Sequence, residues 1–371
     1  MSSICFLHLS DLHQGMEPLG WIWPNVREQL FLDLERLHKT SGPWDVVLFT
    51  GDLTQRGSAA EFARLEQTLD ALFGHLRTLG SNPVLLTVPG NHDLVRPKKT
   101  ATLRAAQTWE SNEKLRQSFW QGQTGARRSR LLEHVHTAFI PYQEWTARAR
   151  ARGNIATLAN FRTGLLPGDF STTLEKDGLR LGILGLNSTF LQLTGDDYAG
   201  RLDLDVRQFH AACGGDGAAW AAQHDACLIL THHPLSWLSQ RSRKAFLGEI
   251  AIPGRFAAHL FGHMHEHALE SLGQGGFEPR TSIQASSLFG LEYFGTEQQR
   301  SHGYSAGRIE VANGGGTLHL WPRVAIESAA GHRIIVPDSR YALNDEQVAL
   351  RFKAHRCSSK GTTVENGTSS D

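Results

Sequence analysis

Five separate apolar runs in this chain end alike, on aspartate, asparagine or histidine. "ICFLHLSDLH" ends on Asp11 and His13, and "DVVLFTGD" on Asp52. "PVLLTVPGNHD" ends on Asn91, His92 and Asp93, "CLILTHHP" on His232 and His233, and "HLFGHMH" on His263 and His265. Short runs rich in Val, Ile, Leu and Phe read as buried strands. In open α/β sheets the carboxyl ends of the strands line the ligand crevice. Five clusters far apart in sequence are therefore predicted to meet in space.

The intervening segments support that layout. "NVREQLFLDLERLHK" places Val26, Leu30, Leu34 and Leu37 on one helical stripe. The next helix opens with a capping-box pattern, Ser58 and Glu61. It carries Phe62, Leu65, Leu69, Leu72, Leu76 and Leu79 on one face and stops at Gly80. Strand, helix, strand, helix, strand implies parallel pairing through crossovers. Residues 96–152 break the rhythm. "ATLRAAQTWESNEKLRQSFW" and "RLLEHVHTAFIPYQEWTARARA" read as helical, and the segment carries twelve Lys and Arg against four Glu. It is expected to be a basic helical insertion. Strands resume with "LRLGILGLNST", and "TSIQASSL", "GYSAGRIEV" and "TLHLWPRVAIE" alternate like antiparallel strands. Residues 326–356 are expected as a C-terminal extension. Residues 357–371 lack apolar periodicity and read as a disordered tail or linker.

Composition excludes several classes. Lys plus Arg equals Asp plus Glu at 37 each, so global charge selects no partner. The four cysteines, Cys5, Cys213, Cys227 and Cys357, form no CxxC pair, which argues against a disulfide framework or thiolate zinc site. A reducing, cytoplasmic setting is expected. No run of about 18 apolar residues reads as a membrane span, and the N-terminus reads as a strand.

Carboxylate, imidazole and one carboxamide, without thiolate, form a donor set for Mn, Fe, Zn or similar divalent ions. Seven such donors are too many for one ion with an open position. They suit two ions sharing a carboxylate, the geometry of two-metal phosphoester hydrolysis. Gly51, Gly90 and Gly262 precede these segments, where the backbone must turn close to the ions.

"DLH", "GDLTQRG", "GNHD", "THHP" and "GHMH", in this order, resemble the calcineurin-like metallophosphoesterase family over roughly residues 4–325. The resemblance implies a domain spanning residues 1–325, with the insertion inside it. It also implies a four-layer α/β sandwich: two mixed sheets face to face, flanked by helices. By motif, Asp11, His13 and His265 match ligands of a first metal, and Asn91, His232 and His263 match those of a second. Asp52 matches the bridge, and a hydroxide between the ions would be the nucleophile. His92 matches the group that protonates the leaving oxygen or holds the phosphoryl group. Two positions depart from the phosphoprotein phosphatase branch. Gln55 stands where that branch has an aspartate supporting the histidine, and Asp93 where it has glutamate. Both point toward phosphodiesterases and nucleases, and the partner orienting His92 stays open.

Arg56 is a candidate for a bidentate phosphate contact, and His233 for substrate binding or support of the ligands. Asn187 and Ser188 are candidates to line the cleft. His267 is left out of the ligand set, and His8 is expected in the core. The basic insertion reads either as a solvated face or as a groove wall for polyanions. Its interleaved Trp109, Phe119, Trp120, Tyr142 and Trp145 either stack bases or pack helices. The expected activity is hydrolysis of a phosphodiester, ahead of a monoester, on nucleic acid or nucleotides, cyclic nucleotides included. The competing expectation is an effector module of a larger, regulated, conflict-type assembly with further domains or partners beyond the tail.

Overall fold

The computed structural model describes residues 2–16, 23–122, 129–151, 158–265, 267–289, 292–294, 297–299, 302–312 and 314–355. The expected tail at 357–371 lies outside them, as do Arg127, Arg128 and Arg152.

The chain begins with β1 (Ser2–Leu9), α1 (Trp23–Ser41), β2 (Val46–Phe49), α2 (Ala59–Thr78) and β3 (Val84–Thr87). β1 pairs parallel with β2, and β2 with β3, as the alternation predicts. The inserted helices follow: α3 (Ala101–Ala106), α4 (Glu113–Gln121), α5 (Arg130–Ala138) and α6 (Ile140–Ala151). Next come β4 (Ala159–Thr163), β5 (Phe170–Lys176), β6 (Leu179–Gly185), α7 (Val206–Ala212), α8 (Gly217–Ala222) and β7 (Ala226–Leu230). α9 (Gln240–Ala245), β8 (Ala258–Phe261), β9 (Ala268–Leu272) and β10 (Arg280–Gln284) complete the second half. A short ribbon, β11 (Glu292–Phe294) with β12 (Glu297–Gln299), precedes β13 (Gly303–Ala312), β14 (Gly315–Glu327), β15 (Arg333–Pro337) and β16 (Val348–Lys353).

These strands form two mixed seven-stranded sheets. One runs β15-β14-β13-β1-β2-β3, with β16 also paired to β14. The other runs β4-β5-β6-β7-β8-β10-β9. β10 corrects the expectation of an antiparallel set. It pairs parallel with β8 and antiparallel only with β9, in a different sheet from β13 and β14.

Burial explains the layers. Ile4 and Phe6 of β1 and Val46 and Leu48 of β2 pack against Leu181 and Ile183 of β6 and Leu228 and Leu230 of β7. Their neighbours Leu7, Leu9, Val47 and Phe49 join the core that contains Val26, Leu30, Leu34 and Leu37 of α1. Strands covered on both faces read as continuous apolar runs, which is why they stood out in the sequence. α2 carries the full capping box: Ser58 Oγ accepts from the Glu61 N–H, and the Glu61 carboxylate accepts from the Ser58 N–H. Such a cap contributes about 1 kcal/mol.

Each long helix expected in the insertion is two short ones. Asn112 caps a new start, its side chain accepting from the Leu115 N–H at 3.0 Å. The second break falls before Pro141, in the first turn of α6, where its missing N–H costs no helical bond. Trp109, Phe119, Trp120, Tyr142 and Trp145 are all buried. Trp109 and Phe119 pack on Phe190, and Trp145 stacks on Phe62 of α2. They hold the insertion to the sandwich and are not a base-stacking surface. Trp109 Nε1 also donates to Asp203 Oδ2 at 2.7 Å, which Arg241 meets at 2.6 Å.

Candidate metal centre

Strand ends place the donors, and unusual backbone aims them. Asp11, His13, Asp52, His263 and His265 all have positive φ, between 49° and 74°. They are five of the nine such non-glycine residues among those described. Each costs roughly 1–2 kcal/mol, and strain of this kind concentrates at functional sites. Hydrogen bonds hold it in place: Asp11 N–H donates to the Gly51 carbonyl at 3.0 Å, and His13 N–H to the Asp52 carbonyl at 2.9 Å. The loops meet too closely for side chains at two glycines. A Cβ on Gly90 would collide with Asp52, and one on Gly262 with Ser10 and Asp11.

Two groups of donors result. In one, His265 Nε2 lies 3.3 Å from Asp11 Oδ1 and 3.3 Å from His13 Nε2. In the other, His232 Nε2 lies 3.1 Å from Asn91 Oδ1, 3.2 Å from His263 Nδ1 and 3.5 Å from Asp52 Oδ2. Asp52 Oδ2 also lies 3.9 Å from His13 Nε2, so one carboxylate oxygen faces both groups. Asp52 Oδ1 is taken by the His92 N–H at 2.8 Å.

The chemistry of the second group tests whether a cation fits. His232 Nδ1 must donate to the Thr50 carbonyl at 2.7 Å, because a carbonyl only accepts. Its Nε2 therefore turns a lone pair toward the Asn91 and Asp52 oxygens, unless a proton or metal lies among them. Burial opposes charge on His232, yet the Asp52 carboxylate draws its pKa up to about 9. Asp11 shows the same demand. Burial raises its carboxyl, but the His265 and His232 rings together outweigh that and bring it down to about 2. The pocket holds two carboxylates and calls for positive charge, so these residues fit divalent cations.

His92 borders the donors, its ring edge-on to His13 at 4.9 Å and a ring nitrogen within 4.8 Å of the His13 and Asp52 ligand atoms. Its Nδ1–H donates to the main-chain carbonyl of Gln55 at 2.8 Å, leaving Nε2 free for proton transfer. Asp93, two residues past Asn91, is fully buried. It accepts from the N–H groups of Gly90, Leu53 and Thr54 and from the Thr54 hydroxyl, tying the two loops together. Burial and the Asp52 charge push it up to about 7.

The chain belongs to the calcineurin-like phosphoesterases. That family's sequence model matches residues 5–267. The phosphoesterase is similar to Vps29 of Chaetomium thermophilum, with 12% identity over 95% of this chain and 97% of that one, TM-score 0.32. It is also similar to a putative 5′-nucleotidase of Staphylococcus aureus, at 12% identity over 93% and 56% of the two chains, TM-score 0.37. A third similar structure is the yellow lupin purple acid phosphatase PPD1, at 12% identity over 90% and 53%, TM-score 0.44. The phosphoesterase spans little more than half the length of the last two. No curated protein matches it. Family membership makes it a metal-dependent phosphoester hydrolase, of a family that typically binds two divalent ions.

The remaining candidates separate. His233 is buried beside the second group, its Nδ1 3.0 Å from Ser188 Oγ, and could join His232 and His263 around an ion. Ser188 Oγ also accepts from the His232 and His233 N–H groups, so it supports the strand end. Asn187 turns away: its amide donates to the Pro167 carbonyl. Arg56 is exposed, and its guanidinium forms no hydrogen bond or ion pair among the described residues. His267 is bonded to the carbonyls of Gln284 and Arg323. His8 is in the core against Thr50. The sequence reading missed Trp237. Its ring meets His263 edge-on at 4.0 Å, and its Nε1 donates to the half-exposed Met264 at 3.3 Å. "HHPLSW" and "GHMH" held both residues, but nothing local brings them together. Among the described residues no helix is long and apolar enough to cross a membrane.

Proposed function

We propose that this phosphoesterase hydrolyses phosphodiesters, with Asp11, His13 and His265 holding one ion, Asn91, His232 and His263 the other, and Asp52 shared. The observation that carries the diester reading is a cavity on one side of the donors and an apolar surface on the other. Trp237 and Met264 form an apolar wall beside His263. On the His13 side lies a cavity of about 300 Å³. A phosphodiester has an organic group on each side of phosphorus, whereas a monoester has one.

Two bound divalent ions of the Mn, Fe or Zn kind supply charge for the phosphoryl oxygens and a water of lowered pKa. The chain's own residues do the rest. Asp52 Oδ1 fixes the main chain of His92, and the Gln55 carbonyl fixes its ring. Nε2 of His92 then delivers a proton to the leaving oxygen. Nucleic acid as substrate is supported by exposed cations on the insertion, Lys98, Arg104, Lys114 and Arg130.

The test compares bis-p-nitrophenyl phosphate with p-nitrophenyl phosphate in Mn²⁺, alongside cyclic nucleotides, DNA and RNA. A diester preference in kcat/KM of about tenfold, equal to about 1.4 kcal/mol, is expected. A preference for the monoester overturns the reading.

A further inference from the structure

The cavity beside His13 is a built site. Leu12, Met16, Trp23 and Phe289 supply apolar walls, His13 reaches it from the metal centre, and Arg64 of α2 stands at its side. Trp23 and Phe289 meet edge-on at 5.5 Å. Phe289 is anchored to the metal loop itself, its N–H donating to the Asp11 carbonyl at 3.1 Å. Arg64 is exposed and makes no ion pair or hydrogen bond among the described residues. The volume is at the lower end of small-molecule sites, which run roughly 300–1,000 Å³.

The cavity lies on the side served by His92. Gln14, another of its lining residues, accepts at its carbonyl from the Gln55 N–H at 3.1 Å. The Gln55 carbonyl in turn holds His92, whose ring is 4.9 Å from that of His13. A group seated there lies against His13, on the side of the metal centre where the His92 ring sits.

We propose that this cavity is the leaving-group subsite, that it takes a nucleoside, and that Arg64 meets a further phosphate carried by that nucleoside. The substrate class is then an oligonucleotide. This rests on the phosphodiesterase reading above. A flat base suits the Trp23 face, because base–aromatic stacking tolerates any base. An unpaired guanidinium suits a phosphate, which it grips with two parallel N–H bonds. In the reaction the oxygen of water joins phosphorus and the bond from phosphorus to the leaving oxygen breaks. That oxygen takes a proton and departs as the nucleoside hydroxyl, and the phosphate stays as a monoester on the other fragment.

The experiment uses the full chain in Mn²⁺ and three substrates: a dinucleoside monophosphate, its analogue with an abasic leaving sugar, and the same dinucleotide with a phosphate added to the leaving nucleoside. The parent is expected to favour the base-bearing substrate over the abasic one by about tenfold or more in kcat/KM, and Trp23→Ala to erase that ratio. Arg64→Ala should erase the advantage of the added phosphate and keep the preference for the base. Should Trp23→Ala fail to fold, Arg64→Ala, an exposed change on α2, carries the test with the parent's base-to-abasic ratio. Equal parent rates on base-bearing and abasic substrates overturn the subsite and leave the phosphodiesterase reading standing. No hydrolysis of any diester overturns that reading and the subsite with it.

Discussion

His92 is held through the main chain of Gln55: its Nδ1–H donates to the Gln55 carbonyl oxygen at 2.8 Å. The residue standing where related phosphatases keep an aspartate thus acts through an atom every residue has. A carbonyl adds no negative charge behind the ring, so orientation is supplied without a carboxylate to stabilise the imidazolium.

Substitutions at these two positions should therefore differ sharply. His92→Ala is expected to lower kcat by about 10²–10⁴-fold, as for loss of a general acid, while bound metal is retained. The loss should shrink for p-nitrophenolate esters, whose leaving group needs no proton. Gln55→Ala should stay close to parent, because the carbonyl remains. Steady-state kinetics with metal analysis of each variant decides it, and metal loss on His92→Ala would make that residue a ligand.

Asp52 Oδ2 faces both donor groups, at 3.9 Å from His13 Nε2 and 3.5 Å from His232 Nε2. The parent is expected to bind two divalent ions per chain, and Asp52→Ala to lose both together. His265→Ala should weaken one ion only. Elemental analysis after dialysis against each metal reads this directly, and removal of metal by chelation should abolish activity reversibly.

A buried ion pair fastens α1 to β14. Arg323 Nε donates to Asp33 Oδ2 at 2.9 Å, its Nη2 to Asp33 Oδ1, and the Tyr304 hydroxyl to Asp33 Oδ2 at 2.7 Å. Arg323→Ala strands the Asp33 charge in the interior and should cost about 3–5 kcal/mol. Glu346 touches the same arginine but is half-exposed, so Glu346→Ala should cost no more than about 1 kcal/mol. Urea unfolding of the two variants distinguishes the buried partner from the exposed one.

Acid should destabilise the fold in part through His224. It is buried and fully bonded as the neutral ring, donating from Nδ1 to the Trp220 carbonyl and receiving the Thr173 hydroxyl at Nε2, both at 2.8 Å. Burial lowers its pKa from 6.5 to about 4. The unfolded chain takes up the proton first, so this contribution is whole above pH 6.5 and is lost as pH falls toward about 4. His224→Gln should flatten the dependence of stability on pH across that window, measured by unfolding at a series of pH values.

Exposed cations on the insertion bear on polymer binding. Reversing Lys98, Arg104 and Lys114 to glutamate should raise KM for DNA or RNA and flatten the salt dependence of binding, since each phosphate contact releases counterion. Equal cleavage of polymer by variant and parent across a salt series would reduce these residues to a solvated face.

The donor set was readable in one dimension because each donor sits within four residues of a strand end, and strands covered on both faces leave an unbroken apolar signature before it. The α2 cap was equally local, since Ser58 and Glu61 are three residues apart. Other features depend on contacts that no local pattern records. The carbonyl behind His92 comes from 37 residues away, and any residue type supplies one. Trp237 reaches Met264 from 27 residues away. The insertion's aromatics alternate with charge in a way that suits stacking on bases or packing between helices. Burial against Phe190 and Phe62 settled that choice, because an apolar ring is driven to whichever surface excludes water, and only the folded chain has that surface.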